Sequence, residues 1–404
     1  MCLPQCPTYL KTLDEGESPR GRISLIQALI NNQLALTPQL VTHLSNCLKC
    51  RACEDICPSQ VPYGLIIDQA QRYIESNQAL TWRKRFARHV FYASISKYRR
   101  LTSSLLHGYQ SSGLRWLAQK SGLLASIKLA RWDNMLPVLS KKHKWKDYYA
   151  PKNTQRGTVA LFTGCISDIV EQNTLASTIS VLTRFGYRVI LPKKQTCCGA
   201  LYLHNGNYEQ AYEFIKTNLS AFAQLPVEAI ISTASGCGLF LHDYAELTDL
   251  SEDDKEFARS MAGKVRDIND FLTAIEWPKY LKINPLHKRV AVHDPCSLTR
   301  ILRQQNNPYR LLEKIPGIDL YSLPSNNQCC GAAGSYMLTH PEMANRLRED
   351  KLADLLDQNV DLLVTSNVGC ALHLRAGLKA RHQEIEVLHP IELLNRQVDI
   401  QDTE

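Results

Sequence analysis

Fourteen cysteines in 404 residues mark out a repeat. From about residue 155 the chain passes the same landmarks twice. An apolar strand leads to a single cysteine, Val159 to Cys165 and then Val290 to Cys296. A helix, a second strand and a Cys-Cys-Gly corner follow, Cys197-Cys198-Gly199 and then Cys329-Cys330-Gly331. A further helix and a third strand end at Gly236-Cys237 and at Gly369-Cys370. The copies are offset by 131, 132 and 133 residues at these landmarks, a duplication far too long in period for a solenoid. Strands alternating with helices predict two small parallel-sheet α/β units. Open sheets of that kind gather ligands outside the carboxyl ends of their strands, where these cysteines fall. Cys165, Cys197, Cys198 and Cys237 are therefore expected to converge on one edge, and Cys296, Cys329, Cys330 and Cys370 on another. Adjacent cysteines serve one site only if the backbone turns between them, and the following glycine permits that turn. Two readings stand for these eight thiols: metal ligands, or small buried hydrophobes.

The N-terminus carries a second pattern. Cys47, Cys50, Cys53 and Cys57, with Pro58, complete a C-x2-C-x2-C-x3-C-P run, whereas Cys2 and Cys6, with Pro7, fill only the last two positions of such a run. Soft thiolates at this spacing curl around a cuboidal iron–sulfur cluster; structural zinc instead favours two separated C-x2-C pairs. In the dicluster pattern the fourth cysteine of each run binds the other cluster. Cys6 then completes the set of Cys47, Cys50 and Cys53, and Cys57 is left with Cys2 in a set short of ligands. The expectation is one fully supplied [4Fe-4S] cluster.

A chain of this length buries a core without staples, and it shows neither an export signal nor an apolar run long enough to span a bilayer. Clustered cysteines then indicate metal or redox chemistry in a reducing cytoplasm. The expected class is α+β multidomain: an α-helical ferredoxin-like module (1–80), a basic helical segment (81–152), and two Cys-Cys-Gly α/β domains (153–275 and 276–404). Helical apolar patterns run from Ile23 to Leu36 and from Leu65 to Ile74. In the basic segment Leu114, Leu117, Leu124 and Ile127 recur at helical spacing, with Pro137 interrupting and Pro151 closing the pattern.

Of the net charge of +8, Arg83 to Lys152 holds all the excess: 16 Lys and Arg against Asp133 and Asp147, while the rest has 31 basic and 37 acidic residues. The segment reads either as a solvated helical surface or as a dock for an anionic membrane or acidic partner, to which Trp116, Trp132 and Trp145 are suited. A competing reading of another class is a zinc-stabilised nucleic-acid binder using this stretch, but no recognised nucleic-acid-binding motif accompanies it, so no nucleic-acid partner is expected. His293-Asp294-Pro295 precedes Cys296, and His373 lies three residues after Cys370 as a candidate ligand, structural residue or proton donor. No G-x-G-x-x-G follows a strand, and no catalytic residue suggests itself. Alcohol oxidation removes two electrons and iron–sulfur centres pass one at a time, so a chain with clusters and no flavin site reads as a relay beside a flavoprotein.

Almost the whole chain resembles the iron–sulfur subunit of bacterial glycolate oxidase. The resemblance rests on Cys6-Pro7-Thr8-Tyr9, Pro19-Arg20-Gly21-Arg22-Ile23, the Cys47 run, Asp294-Pro295-Cys296, Cys329 to Gly334, Gly369 to Leu374 and His389 to Leu394. It implies two [4Fe-4S] clusters in the N-terminal module, FAD-binding partner subunits, and oxidation of glycolate to glyoxylate with electrons passed to an acceptor such as quinone. Lactate-utilisation proteins, the third subunit of anaerobic glycerol-3-phosphate dehydrogenase and a cysteine-rich component of heterodisulfide reductase share the duplication. The last of these ends each copy in C-x2-C, where this chain has Phe240 and His373, which leaves a conventional cluster, zinc, or no metal in the copies. Family members also open with a C-x2-C pair that is not found before Cys2. Either translation starts upstream of Met1 or one cluster is incomplete.

Overall fold

In the computed structural model, which describes residues 1–77, 82–126, 129–140, 142–222, 224–247 and 249–400, the repeated sequence is a repeated topology. An edge strand β1 (Tyr148–Tyr149) precedes the first copy: β2 (Gly157–Phe162), β3 (Tyr187–Ile190), β4 (Ala229–Ser232) and β5 (Val265–Asp267). A short β6 (Leu281–Ile283) leads into the second copy: β7 (Arg289–His293), β8 (Asp319–Ser322), β9 (Leu362–Thr365) and β10 (Glu386–Leu388), followed by β11 (Val398–Ile400). The sheets run β1-β3-β2-β4-β5 and β10-β9-β7-β8, and β6 pairs with β11. Apart from antiparallel β1, both sheets are parallel and share the order second, first, third, fourth strand. The order reverses between the first and third strands, and that switch point is where such sheets open a crevice.

Strand periodicity decides how the copies meet. Val159, Leu161, Ala229 and Ile231 of the first sheet share one core with Val290, Val292, Leu362 and Val364 of the second. The intervening Ala160, Phe162 and Ile230 face a separate core, and Ala291 and Leu363 a third. Alternate residues point to opposite faces, so each sheet turns one face to its partner copy and one to its own helices. Each fully buried aliphatic side chain contributes about 1.5–3 kcal/mol, which makes the shared face the main bond between the copies. Polar contacts finish the seam near the strand ends: Ser235 donates its N–H to Ser366 O at 3.0 Å, and its hydroxyl lies 2.8 Å from that of Ser297.

The N-terminal module is helical. Ser18 caps the helix Pro19–Ile30 by accepting from Gly21 N–H, and Thr37 caps Pro38–Ser45. Ile26 and Leu29 pack there on Leu40, Leu44 and Ile67. The helix expected over Ile23 to Leu36 stops at Ile30, because Asn32 takes a left-handed conformation (φ 57°) that suits Asn. The module bridges both copies: Lys11 pairs with Asp350 at 2.7 Å, and Lys49 donates to His204 O at 2.6 Å.

Candidate metal centre

Three of the four N-terminal thiols come from one tight loop. Lys49 and Arg51 adopt φ of 52° and 54°, each costing roughly 1–2 kcal/mol, and this curls Cys47, Cys50 and Cys53 around a common cavity. Cys6, beside Pro7 at the start of the helix Pro7–Thr12, closes the cavity from the other side. The same cavity is lined by Arg22 and Tyr63. Lys49 N–H donates to Cys47 Sγ at 3.4 Å, and the Tyr63 hydroxyl lies 3.6 Å from the same sulfur. Buried Arg22 reaches to 4.0 Å from Cys6 Sγ while pairing with buried Glu17 at 2.6 Å. Burial opposes the Arg22 charge, but Cys47, Tyr63, Cys6 and Glu17 outweigh it and hold the guanidinium firmly protonated.

Cys2 and Cys57 do not line this cavity. Both are half-buried; Cys2 precedes the turn Leu3–Gln5, and Cys57 follows the helix Ala52–Asp55. The structure thus brings Cys6, Cys47, Cys50 and Cys53 together and leaves the other two apart.

The eight thiols of the two copies converge as pairs joined through the Cys-Cys corners. Cys165 and Cys197 Sγ are 3.4 Å apart, Cys198 and Cys237 3.7 Å, and Cys330 and Cys370 3.1 Å; Cys296 is hydrogen-bonded to Cys329. Cys165 and Cys296 lie three residues beyond β2 and β7, and Cys237 and Cys370 in the first turns of the helices Ser235–Asp243 and Val368–Ala380. Gly199 and Gly331 turn the corners at φ of 96° and 86°, and each donates its N–H at 3.4 Å to the first sulfur of its pair.

The thiols of Cys50, Cys53, Cys165 and Cys296 are not set up as free nucleophiles. Burial and then the Cys296 thiol push Cys50 up to about 12; burial and then Cys50 raise Cys53. The hydrogen bond to Cys197 and burial raise Cys165, and the bond to Cys329 and burial raise Cys296. Thiols held protonated in this way ionise when a cation offsets the charge, so the donor sets suit metal and not thiol chemistry. The N-terminal cavity, with four sulfurs, N–H and O–H donors and a buried cation, fits an anionic cluster.

Sequence reasoning missed the polar residues around the copies. Asn218 donates to Cys197 O at 2.8 Å and accepts from Thr196 N–H at 2.9 Å, and the Tyr244 hydroxyl donates to Cys198 O at 2.5 Å. The residue 133 positions after Asn218 is Lys351, which is buried and donates to Ser325 O. Where the first copy ends its opening strand with Phe162, the second has His293. Ligand atoms of His293, Cys330 and Cys370 lie within 4.8 Å of one another. His373 points elsewhere, its Nε2 donating to Ala344 O at 3.0 Å. Cys50 packs in one cluster with Cys296, Cys329, Cys330 and Cys370, so the N-terminal cavity and the second copy's thiols are neighbours.

The basic segment folds into the helices Trp82–Ser96, Arg99–Ser111, Leu114–Lys120, Leu123–Ser126 and Ala130–Met135; Ile127 lies outside the described residues. Phe86, Leu101, Leu105, Trp116 and Leu117 are exposed on it. Trp132 packs edge-on against Phe91, and Trp145 is taken into the fold, its indole N–H on Asp168 at 2.8 Å. Among the described residues no helix is long and apolar enough to cross a membrane.

Comparison with known proteins places these features. Residues 1–61 match the 4Fe-4S dicluster domain, and residues 159–242 and 290–375 each match the cysteine-rich domain family. The chain is 31% identical to the probable glycolate oxidase iron-sulfur subunit of Bacillus subtilis (strain 168), over 97% of this chain and 91% of the relative. It is 30% identical to the glycolate oxidase iron-sulfur subunit of Escherichia coli (strain K12), over 96% and 91%. Lactate utilization protein A of Bacillus velezensis (strain DSM 23117 / BGSC 10A6 / LMG 26770 / FZB42) is 28% identical, over 59% of this chain and 98% of the relative.

Proposed function

Because the chain belongs to the family of glycolate oxidase iron–sulfur subunits, we propose that it is the electron-transfer subunit of a glycolate dehydrogenase, working between an FAD-binding partner and an acceptor such as quinone. The observation that carries this reading is the closure of Cys6, Cys47, Cys50 and Cys53 around one cavity beside the buried Arg22. These four cysteines are the ligands of a [4Fe-4S] cluster, which supplies one-electron transfer when bound. Arg22 balances its charge, the Lys49 amide and the Tyr63 hydroxyl donate to Cys47, and the packed helices Pro19–Ile30 and Tyr63–Asn77 exclude water. Cys57 and Cys2 contribute to a second cluster, as the match to a dicluster domain suggests.

The acceptor side lies on the basic segment. Its excess of cations and its exposed Phe86, Leu105, Trp116 and Leu117 suit the anionic cytoplasmic face of a membrane. Binding to vesicles should rise with anionic lipid and fall with salt; co-sedimentation indifferent to lipid charge would remove this part of the reading.

The chain purified anaerobically should hold iron and acid-labile sulfide, and Cys53→Ser should remove one cluster's worth of each. Its centres should be reduced by glycolate only when the FAD-binding partner is present. Reduction by lactate and not glycolate would reassign the substrate, and unchanged iron in Cys53→Ser would overturn the ligand set.

A further inference from the structure

We propose that the second cysteine-rich copy holds an iron–sulfur centre with a histidine ligand, in which His293 joins Cys330 and Cys370, with Cys296 and Cys329 completing the donor set. This rests on the reading of the chain as an iron–sulfur subunit and goes further, since the N-terminal ligands are all thiols.

His293 ends β7 and is 2% exposed. Its Nδ1 lies 2.9 Å from the Thr365 hydroxyl, which fixes the ring. The other nitrogen, Nε2, is buried without a hydrogen-bond partner. A buried polar atom is nearly always satisfied, so an unpartnered nitrogen on a ring that comes within 4.8 Å of the Cys330 and Cys370 sulfurs calls for a ligand there. A hydrogen bond at the opposite ring nitrogen is the usual way a ligating imidazole is oriented. Among the described residues, His293, Cys330 and Cys370 form the one trio of potential ligand atoms within 4.8 Å of each other. The first copy cannot do the same, because Phe162 occupies the corresponding strand end.

The metal class follows from the number and place of the donors. Four thiols and an imidazole exceed the four ligands of a closed zinc site and suit a polynuclear iron centre. Buried Lys351 lies close enough to Cys330, Cys329 and Cys370 to feel their charge, and so offsets that of thiolates. Packing of these sulfurs with Cys50 sets the centre directly beside the N-terminal cavity.

The test uses the full chain reconstituted anaerobically with iron and sulfide, chemically reduced, and followed by pulsed EPR. A strong coupling to a bound histidine nitrogen should appear and should change when the protein is made with 15N-histidine. It should vanish in His293→Ala while the N-terminal signals remain, and should persist in Cys53→Ser, which loses the signal of the cluster held by Cys6, Cys47, Cys50 and Cys53. His293→Cys should keep the iron but lose the nitrogen coupling, which covers the case that alanine disturbs folding. No histidine coupling in labelled native protein, coupling that survives both His293 substitutions, or zinc in the second copy would each overturn the proposal. Those results leave the N-terminal signal in place, whereas failure of the broader reading would show as a chain that takes up no iron at all.

Discussion

The two cysteine-rich copies have the same strand order, the same four thiols and the same glycine corner, yet they treat the polar groups behind the thiols differently. In the first copy the groups behind the Cys-Cys corner are neutral. Asn218 and Tyr244 hold the carbonyls of Cys197 and Cys198, and Phe162 covers the strand end. In the second copy a lysine replaces the asparagine and a histidine replaces the phenylalanine, and the buried Nε2 of His293 and Oδ1 of Asp294 have no partner. Duplication supplied two equal frames, and the side chains behind the thiols made them unequal. The carbonyls of the first corner are satisfied by protein side chains, whereas the second copy keeps a buried lysine and the unpartnered His293 ring near its thiols, which is costly unless something binds.

The corner glycines should show the largest difference. A Cβ on Gly331 would stand 2.5 Å from Ala344 O, and one on Gly199 would stand 3.2 Å from Ala211 O. Both substitutions cost roughly 1–2 kcal/mol for the left-handed backbone. Gly331→Ala adds an overpacking cost of about 1–3 kcal/mol against a helix backbone that cannot give way locally. Urea unfolding of the metal-free chain should therefore place Gly331→Ala well below Gly199→Ala. Equal losses would mean that the second corner is no tighter than the first.

Next come the residues behind the thiols. Asn218→Ala leaves Thr196 N–H without its acceptor, while the Cys197 carbonyl keeps the Thr196 hydroxyl at 3.3 Å, and should cost about 1–3 kcal/mol. Lys351→Met should be close to neutral for the metal-free chain, because an apolar side chain of similar volume replaces a buried cation. The same variant should lose iron from the second copy, which Asn218→Ala should not. A Lys351→Met chain that is strongly destabilised without metal would make this lysine a structural group and erase the contrast.

These contrasts were only partly readable in the sequence. The offsets of 131 to 133 residues announced a repeated topology, and the C-x2-C-x2-C run with Cys6 announced one gathered set of thiols. Both are local patterns whose geometry follows from turn and strand periodicity. Lys351 and Asn218 were not legible, because each sits on the buried stripe of a helix 19 residues from the nearest cysteine. Their separation of 133 residues, the same as that of the Gly-Cys pairs, would have linked them. Arg22 falls in line with Ile26 and Leu29 on a buried helical face, and a cation on an apolar stripe was the available signal. Of the two histidines near the cysteines, His373 has the ligand-like spacing, three residues after Cys370. Only the turn of its helix shows that its ring faces Ala344 O and leaves the thiols to His293.

The smallest effect concerns the helix that follows the fourth strand of each copy, where the two caps titrate with opposite sign. In the second copy His389 caps the helix Pro390–Gln397, its Nδ1 accepting from Ile391 N–H at 3.1 Å, and burial lowers its pKa to about 3. A folded pKa below the unfolded value of about 6.5 gives stability that is present above pH 6.5 and lost as pH falls toward 3. In the first copy Asp267 caps the helix Ile268–Ala274, accepting from Asn269 N–H at 2.8 Å, and burial raises its pKa to about 6. Here the stability is present below the unfolded value of about 3.9 and is lost as pH rises through 6. Either slope is at most about 1.4 kcal/mol per pH unit. Hydrogen exchange corrected for intrinsic rates, followed from pH 7 to pH 4, should show Pro390–Gln397 losing protection while Ile268–Ala274 gains it. His389→Asn keeps a cap that does not titrate and should flatten the first slope alone. If both helices move in the same direction, the shared core and not the caps governs their opening.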